Sequence, residues 1–486
     1  MTRHLTLTLA LVCGSIVGGS VVVSASDWMR FRGPNGTGVS TDRGLPTVID
    51  RDKGVLWSAK LPKGSSSPVI AQGRVYLTAY EGDQRFVLCY DAATGQERWR
   101  LAVQRSRAER FHSAHGPATP TPATDGGRVF AYLPELGLLA FNRDGRELWR
   151  VALGPFASVH GMASSPIYVA GRVVLFVDTP VESFVIAFDA ATGRQVWKTE
   201  RTPGAMGSFT TPTLYAEDSE RAQIIVAGAD ELTGYLAATG ERVWWARGVS
   251  ITPAAPPFVS GDSVYSLEPP ATGNMSSFAD LTKRFDTNQD GRITQAEAAS
   301  DLFWAETFRG LDLRRGNADG AVTEEEFKRG AFGTPQDGGL VRTRIGGRGD
   351  VGATHIMWRY DKGLPYFTGA LLYDGVLYTL RNGTLTTFSP DTGAMLKQQR
   401  VMNALGEYYA SPIAGDGKIY LVNLDGQVTV LKAGAQWEVL STGDLHERVT
   451  ATPAIADGRV YIRTDGMLYC FGPPASTAAA GQRRGV

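Results

Sequence analysis

Cysteine and charge of one sign are what this 486-residue chain has least of. There are three cysteines, and 49 basic residues are matched by 49 acidic ones, so the net charge is zero. A balanced surface argues against a nucleic-acid groove and against a basic face that docks on membranes. No Cys-x-x-Cys-His run occurs, which excludes covalent attachment of c-type haem. The apolar run from Leu5 through Val23 follows Arg3 and His4 and ends in Val23-Ser24-Ala25. That pattern predicts a signal peptide over 1–25, cleaved before Ser26. Cys13 is preceded by Val12, where a lipoprotein signal needs a small residue, so no lipid anchor is expected. No later stretch is long and apolar enough to span a bilayer. The chain is therefore expected to be periplasmic or secreted, a setting in which Cys89 and Cys470 could pair.

Glycine is abundant, at 57 residues, and it punctuates a phrase that recurs. The phrase has a Pro-containing start, a strand with Gly-x-Val-Tyr, a second strand, a Thr-Gly turn and a Trp strand. In the first copy these are Ser67-Pro68, Gly73 to Tyr76, Tyr90-Asp91-Ala92-Ala93-Thr94-Gly95 and Trp99. Other starts are Thr121-Pro122, Ser165-Pro166, Thr211-Pro212, Thr252-Pro253, Ser411-Pro412 and Thr452-Pro453, with a degenerate one at Thr368-Gly369. Each of these eight copies holds alternating apolar and polar runs broken by Gly, Asp or Asn turns. Period two predicts half-buried strands, and about 45 residues with about four strands is the size of a propeller blade.

Trp99, Trp149, Trp197 and Trp244 each follow the turn glycine by four residues, with Trp57, Trp358 and Trp437 on similar strands and Lys397 in the slot of the sixth copy. A large ring repeated once per unit predicts packing between blades rather than a ligand stack. The eighth copy ends at Tyr469-Cys470-Phe471-Gly472 without a Trp strand, and an unclaimed one, Val55 to Leu61, precedes the first copy. The N-terminal strand is thus expected to complete the last blade, which removes an exposed sheet edge. Cys89 and Cys470 fall in one column with Ala140, Ala187, Gly234, Thr387 and Val430. Buried small hydrophobes are the leading reading of that column, and a disulfide between neighbouring blades stays open.

The run Tyr90-Asp91-Ala92-Ala93-Thr94-Gly95-x-x-x-Trp99 resembles the pyrroloquinoline-quinone (PQQ) repeat of quinoprotein propellers. The run Trp28-Met29-Arg30-Phe31-Arg32-Gly33-Pro34 resembles the opening of exported bacterial PQQ-like propellers. The resemblance covers about residues 27 to 473 and implies an all-β, eight-bladed β-propeller. Its members include dehydrogenases and outer-membrane assembly scaffolds, so it is less specific for activity. The enzymes of the family hold PQQ with a calcium or lanthanide ion, a catalytic Asp and often a disulfide between adjacent cysteines. This chain has no adjacent cysteines, and no such Asp can be assigned by motif.

The fifth copy is interrupted between Tyr265 and Trp358. Phe278, Leu281 and Phe285 share one helical face, and Asp286-Thr287-Asn288-Gln289-Asp290-Gly291-Arg292-Ile293-Thr294-Gln295-Ala296-Glu297 follows. This run matches the EF-hand calcium loop. Asp286, Asn288 and Asp290 offer side-chain oxygens at alternate positions, Arg292 its carbonyl, and Glu297 two closing oxygens. Thr294 would act through a water, and Ile293 would pair with a partner loop. Asn317, Asp319, Gly320, Val322, Thr323 and Glu326 keep the register of a second loop, but Arg315 stands at its first position. That loop is either an empty packing partner, the favoured reading, or an expanded loop that uses Asp312.

The expected layout is a signal peptide (1–25), propeller (26–267), EF-hand insert (268–340), propeller (341–473) and a disordered tail (474–486). A polar and aromatic rim is expected at the channel mouth from His112, His115, His160, His446, Glu407, Tyr408, Tyr409 and Arg448. Ordinary surface polarity is its leading reading, and a ligand site the lesser one. The whole reads as a monomeric calcium-binding scaffold or recognition propeller with an envelope or extracellular protein or glycan partner. The alternative is a PQQ-dependent alcohol or sugar dehydrogenase.

Overall fold

Each copy of the repeat folds into one antiparallel sheet, and eight such sheets form an eight-bladed β-propeller in this computed structural model; seven have four strands, and that of blade four gains a fifth, Gly349–Asp350, paired parallel to its outer strand Arg242–Arg247. The structure describes residues 27–473 apart from 110, 112–115, 157, 159, 202–206, 217–220, 230, 250–251, 270–275, 331–337 and 405. The expected signal peptide, the expected tail, His112 and His115 lie outside the described residues.

Blade one shows the plan. Its strands are Val69–Ala71, Arg74–Glu81, Gln84–Asp91 and Glu97–Gln104, numbered one to four from the channel outward. The outermost strand alternates between half-buried and exposed, as period two predicts. The middle two are buried almost without interruption. Each is covered on both faces by neighbouring blades, so alternation there separates one seam from the next rather than core from water.

At five of the eight seams a repeated Trp locks onto the next blade's turn, while Trp244 donates instead to Gln223 of its own blade. Trp57 Nε1 donates to Ala92 O, Trp149 to Ala190 O and Trp197 to Ala237 O, each at 3.1 Å, and Trp358 donates to Pro390 O at 2.9 Å. The turn glycine of the receiving blade lies against the indole: a Cβ on Gly193 would stand 2.7 Å from Trp149, and one on Gly393 2.6 Å from Trp358. The Thr-Gly of one copy therefore serves the Trp of the copy before it. A ring of this size buries about 150–250 Å², or ~4–6 kcal/mol of gross transfer energy per seam at about 25 cal/mol/Å².

The cysteine column is explained by the same seam. Cys89 pairs across the sheet with Trp99, Ala140 with Trp149, Ala187 with Trp197, Gly234 with Trp244 and Cys470 with Trp57. A small residue opposite each indole leaves room for it. Cys89 and Cys470 are both buried and both free. Burial pushes each thiol up to about 12, so neither is a thiolate at neutral pH. Trp437 departs from the sequence reading: it precedes the outer strand Glu438–Asp444, and Ser441 holds the register position opposite Val430. Trp437 instead lies under Lys397, whose ammonium is 4.1 Å from the ring centre.

The ring shuts with a strand from the other end of the chain. Val55–Lys60 pairs antiparallel with Met467–Phe471 and completes blade eight. In blade five, strands Ser263–Glu268 and Gly339–Arg344 still pair directly, so the helical segment between them leaves the sheet intact. That segment carries helices Phe278–Phe285, Leu302–Arg315 and Glu324–Gly330 around a small core of its own, including Phe285, Phe308, Leu311 and Phe327.

Candidate functional site

The head of each innermost strand supplies one ring around the channel: Ser67, Thr121, Ser165, Thr211, Thr252, Gly369, Ser411 and Thr452. The hydroxyls are linked from blade to blade. The backbone N–H of Ser67 donates to Thr121 Oγ1 (2.9 Å), that of Thr121 to Ser165 Oγ (3.0 Å) and that of Ser165 to Thr211 Oγ1 (3.0 Å). Gly369 donates to Ser411 Oγ (2.9 Å) and Ser411 to Thr452 Oγ1 (3.0 Å). Each of these five oxygens accepts a hydrogen bond from the neighbouring backbone N–H, and its own O–H has no acceptor among the described residues. Thr252 differs, donating to Glu268 Oε1 through both N–H (2.6 Å) and hydroxyl (3.2 Å).

Two residues upstream, period two builds a second tier. Blades one, two and eight give Ser65, Thr119 and Thr450, and blades four, six and seven give Phe209, Phe367 and Tyr409. These tiers enclose a cavity of about 460 Å³, with His160 and Tyr366 at its mouth. One side of the mouth is polar and the other aromatic. Phe367 stands edge-on to Tyr409 at 4.9 Å between ring centres, and His160 to Phe209 at 5.4 Å. Tyr366 and Phe367 remain 48% and 43% exposed and stand edge-on to each other at 5.1 Å, so the mouth presents a contiguous aromatic cluster.

The opposite end of the channel is closed by residues 28–40. Trp28 bridges to Ile70 of blade one, and Thr124 of blade two donates to Met29 O at 2.9 Å. Asn35 exchanges two hydrogen bonds with Leu214 of blade four (2.7 and 2.8 Å), and Ala414 of blade seven donates to Gly38 O at 2.8 Å. The segment thus crosses the channel and sets Phe31 against the cavity. Arg30 donates to Pro212 O, and Arg32 to Ala370 O at 2.7 Å. Arg32 is fully buried, and burial alone pulls its guanidinium down to about 10.

Of the rim expected from sequence, His160 and Tyr409 line this cavity. Glu407 and Tyr408 line a neighbouring one of about 350 Å³ with Arg381 and Asn382. His446 turns instead toward the Asp444 carboxylate (3.5 Å), and neither it nor Arg448 lines the described cavities. Sequence reasoning missed the hydroxyl ring, although the signal was present: it had marked the Ser-Pro and Thr-Pro starts as punctuation only.

In the helical segment, Asp286, Asn288, Asp290, Arg292 and Glu297 share one loop. Asp286 accepts from the N–H groups of Asp290 (3.2 Å) and Gly291 (2.9 Å), Asn288 Oδ1 from Asp290 (2.9 Å), and Asp290 from Arg292 (2.8 Å). Glu297 accepts from Thr287 (3.1 Å) and Thr294 (2.9 Å). Burial pushes the Glu297 carboxyl up, but these Thr294 and Thr287 donors outweigh it and hold the group below its ordinary range. The next loop repeats the scheme. Asp312 accepts from Asp319 (3.0 Å) and Gly320 (2.9 Å), Asn317 from Asp319 (3.0 Å), Asp319 from Ala321 (3.1 Å), and Glu326 from Asn317 (3.2 Å) and Thr323 (2.9 Å). Ile293 pairs with Val322 between the loops, and Arg292 forms an ion pair with Asp319. Among the described residues, no three His, Cys, Asp or Glu side chains converge into a metal cluster.

An eight-bladed propeller with one blind channel is the class that this geometry defines. The model of the PQQ_2 repeat family, described as outer membrane protein assembly factor BamB, matches residues 42–183, 181–293 and 350–477. The chain belongs to that family. It is similar to outer membrane protein assembly factor BamB of Burkholderia pseudomallei, 32% identical over 163 residues, covering 32% of this chain and 37% of that protein. It is also similar to quinohemoprotein alcohol dehydrogenase ADH IIB of Pseudomonas putida, 25% identical over 161 residues, or 32% of this chain and 23% of that one. The matches thus span well under half the length of these relatives. Among solved structures, quinohemoprotein alcohol dehydrogenase from Comamonas testosteroni matches with a TM-score of 0.59 at 13% identity, covering 92% of this chain and 81% of that one. BamB from Moraxella catarrhalis matches at 0.53 and 14%, covering 87% and 98%. At such identity the structures speak for the fold alone.

The family raises the question of PQQ. A quinone held with a metal ion needs hard oxygen donors beside it. Among the described residues the cavity is lined by hydroxyls, aromatics and small apolar groups, with His160 as its ionisable group other than tyrosine and with no carboxylate or amide side chain. That lining does not fit a metal-held quinone.

Proposed function

We propose that this chain is an envelope scaffold or recognition propeller whose helical insert is a calcium-held pair of EF-hands. The observation that carries the reading is the repeated hydrogen-bond scheme of the two loops. Asp286, Asn288 and Asp290 with the Arg292 carbonyl and Glu297 match the oxygen set that calcium takes. The second loop supplies Asp312, Asn317, Asp319 and Glu326 in the same roles, with Asp312 reached across three extra residues of helix. The reading accordingly gives the insert two ions, with the Ile293–Val322 pair joining the loops. Calcium would act as a structural clip, and affinities on the order of 10⁻⁴ to 10⁻³ M suit an extracellular module. Export is supported by the leader-like N-terminus and by relatives named for outer-membrane assembly.

Calorimetric titration of the exported chain with calcium tests this. Two ions should bind, Glu297→Gln and Glu326→Gln should each remove one, and calcium should protect residues 270–350 from protease. Equal proteolysis with calcium and with chelator, and no binding heat, would sink it. A PQQ-dependent oxidoreductase is the second reading, with the quinohemoprotein relative in its favour and the channel lining against it. Mixing the protein with PQQ and calcium should then give a quinone absorbance and alcohol-dependent dye reduction.

A further inference from the structure

We propose that the channel mouth binds the end of a neutral glycan, with one pyranose in the channel and the next across the aromatic rim. This deepens the recognition reading above and rests on it. Three observations carry the proposal. The first is the polar tier. Thr121, Ser165, Thr211, Ser411 and Thr452 line the cavity, and each is at most 4% exposed. Each oxygen accepts one backbone N–H, keeps a second lone pair, and carries an O–H without an acceptor among the described residues. Such a group both donates and accepts, as a sugar hydroxyl does.

The second is the aromatic half of the mouth, where Phe209, Phe367 and Tyr409 face the hydroxyl side. A pyranose has an apolar face of C–H groups and polar edges. Laid against these rings, it buries that face while its edges meet the hydroxyls opposite. The cavity of about 460 Å³ lies within the range of small-ligand sites. Tyr366, Phe367 and Tyr409 also wall the neighbouring cavity, where Arg381, Asn382 and Glu407 offer paired donors and acceptors to adjacent hydroxyls. A second sugar unit therefore has a place of its own.

The third is charge. The channel is closed at the Phe31 end, so an extended chain enters it end first. A polypeptide's end carries an ammonium or a carboxylate at neutral pH. The described lining has no carboxylate, lysine or arginine to balance either, and desolvating an unpaired ion is costly. A neutral glycan ends in hydroxyls and brings no charge. The same cost disfavours an acidic glycan.

The exported chain is titrated by calorimetry with cellotriose, maltotriose, laminaritriose and triacetylchitotriose, in calcium and in chelator. Trigalacturonate serves as the acidic control and acetyl-Ala-Ala-Phe-amide as the neutral peptide control. At least one neutral trisaccharide should bind with a Kd of about 1 mM or tighter, and about tenfold tighter than trigalacturonate. Phe367→Ala should weaken that trisaccharide about tenfold by removing the apolar wall. Arg381→Ala should weaken it several-fold through the second cavity. Both side chains are exposed, so neither change disturbs the core. An affinity unchanged in either variant overturns the assignment. Equal binding of trigalacturonate, or no binding by any of the four neutral trisaccharides, does the same. A peptide that binds tighter than every glycan gives the mouth to a polypeptide segment and also overturns it. Binding heats for calcium that persist through such a failure leave the calcium reading standing, whereas PQQ-dependent dye reduction would sink the recognition reading itself.

Discussion

Gly193 measures how much of the propeller's stability lies in a Trp seam. Its φ is 71°, and a Cβ there would meet Trp149 Cδ2 at 2.7 Å. Gly171, in the same blade, has φ 76° but nothing within 4 Å of a Cβ. Alanine at Gly171 therefore carries the left-handed backbone cost alone, about 1–2 kcal/mol. Alanine at Gly193 adds the overpacking of an indole that is hydrogen-bonded to Ala190 and cannot slide away, a further ~1–3 kcal/mol. With an unfolding entropy of ~2.1 cal/mol/K per residue over about 450 residues, each kcal/mol moves the midpoint by about 1 °C. Scanning calorimetry should show a drop of about 1–2 °C for Gly171→Ala and about 2–5 °C for Gly193→Ala. In a Trp149→Phe background the Gly193→Ala penalty should fall to the Gly171 value, because the smaller ring vacates the contact. Equal drops at the two glycines, or no coupling to Trp149, would refute the seam argument.

Two further outcomes follow from buried carboxylates. Burial pushes the Glu109 carboxyl up to about 8 from an ordinary 4.5, so the folded state binds its proton more tightly than the unfolded state. That preference is fully present below about pH 4.5 and is lost as pH rises to about 8, so stability should fall across this window. Glu109→Gln should flatten the decline in a series of thermal midpoints, and an unchanged slope would count against it. Glu135 is buried against Arg85, which is itself buried, with Arg105 at 3.4 Å. Glu135→Gln leaves Arg85 with its backbone acceptors at Gly82 and Gln84 but no counter-charge, and should cost about 3–5 kcal/mol, read as a lowered denaturation midpoint; a change under about 1 kcal/mol would show that the pair is not isolated from water.

What the sequence showed was what recurs. Strand content, blade count and the Trp slots each repeat, so every copy corroborates the others. The closing strand was readable because Trp57 sat in a phrase without a copy of its own. Single events were harder. Nothing local marks residues 28–40 as the channel floor, since their partners at Ile70, Leu214 and Ala414 are brought near by ring closure alone. The break at Gly369 looked like decay of the repeat, and the structure shows Arg32 in the space it leaves. In the second loop Arg315 stood where an acid was sought. The acid that takes its place, Asp312, lies on the helix before it, and only the fold shows its carboxylate reaching Asp319 and Gly320.

Strand direction ties the two candidate sites together. The innermost strand of each blade starts at the mouth ring and runs toward the end closed by Phe31, so in an antiparallel sheet the second strand returns to the mouth. The turn between second and third strands therefore lies on the mouth side, and in blade five that turn is the helical segment between Glu268 and Gly339. Pro269, where the segment departs, lines the cavity that Tyr366, Phe367 and Tyr409 share with the channel. The Thr-Gly turns and the Trp seams they receive lie at the other end. Stabilising contacts and ligand-accessible surface are thus separated by the direction of four strands. An insert placed at any Thr-Gly turn would have displaced a Trp seam, whereas one placed between the second and third strands of a blade leaves every seam intact and stands beside the aromatic mouth.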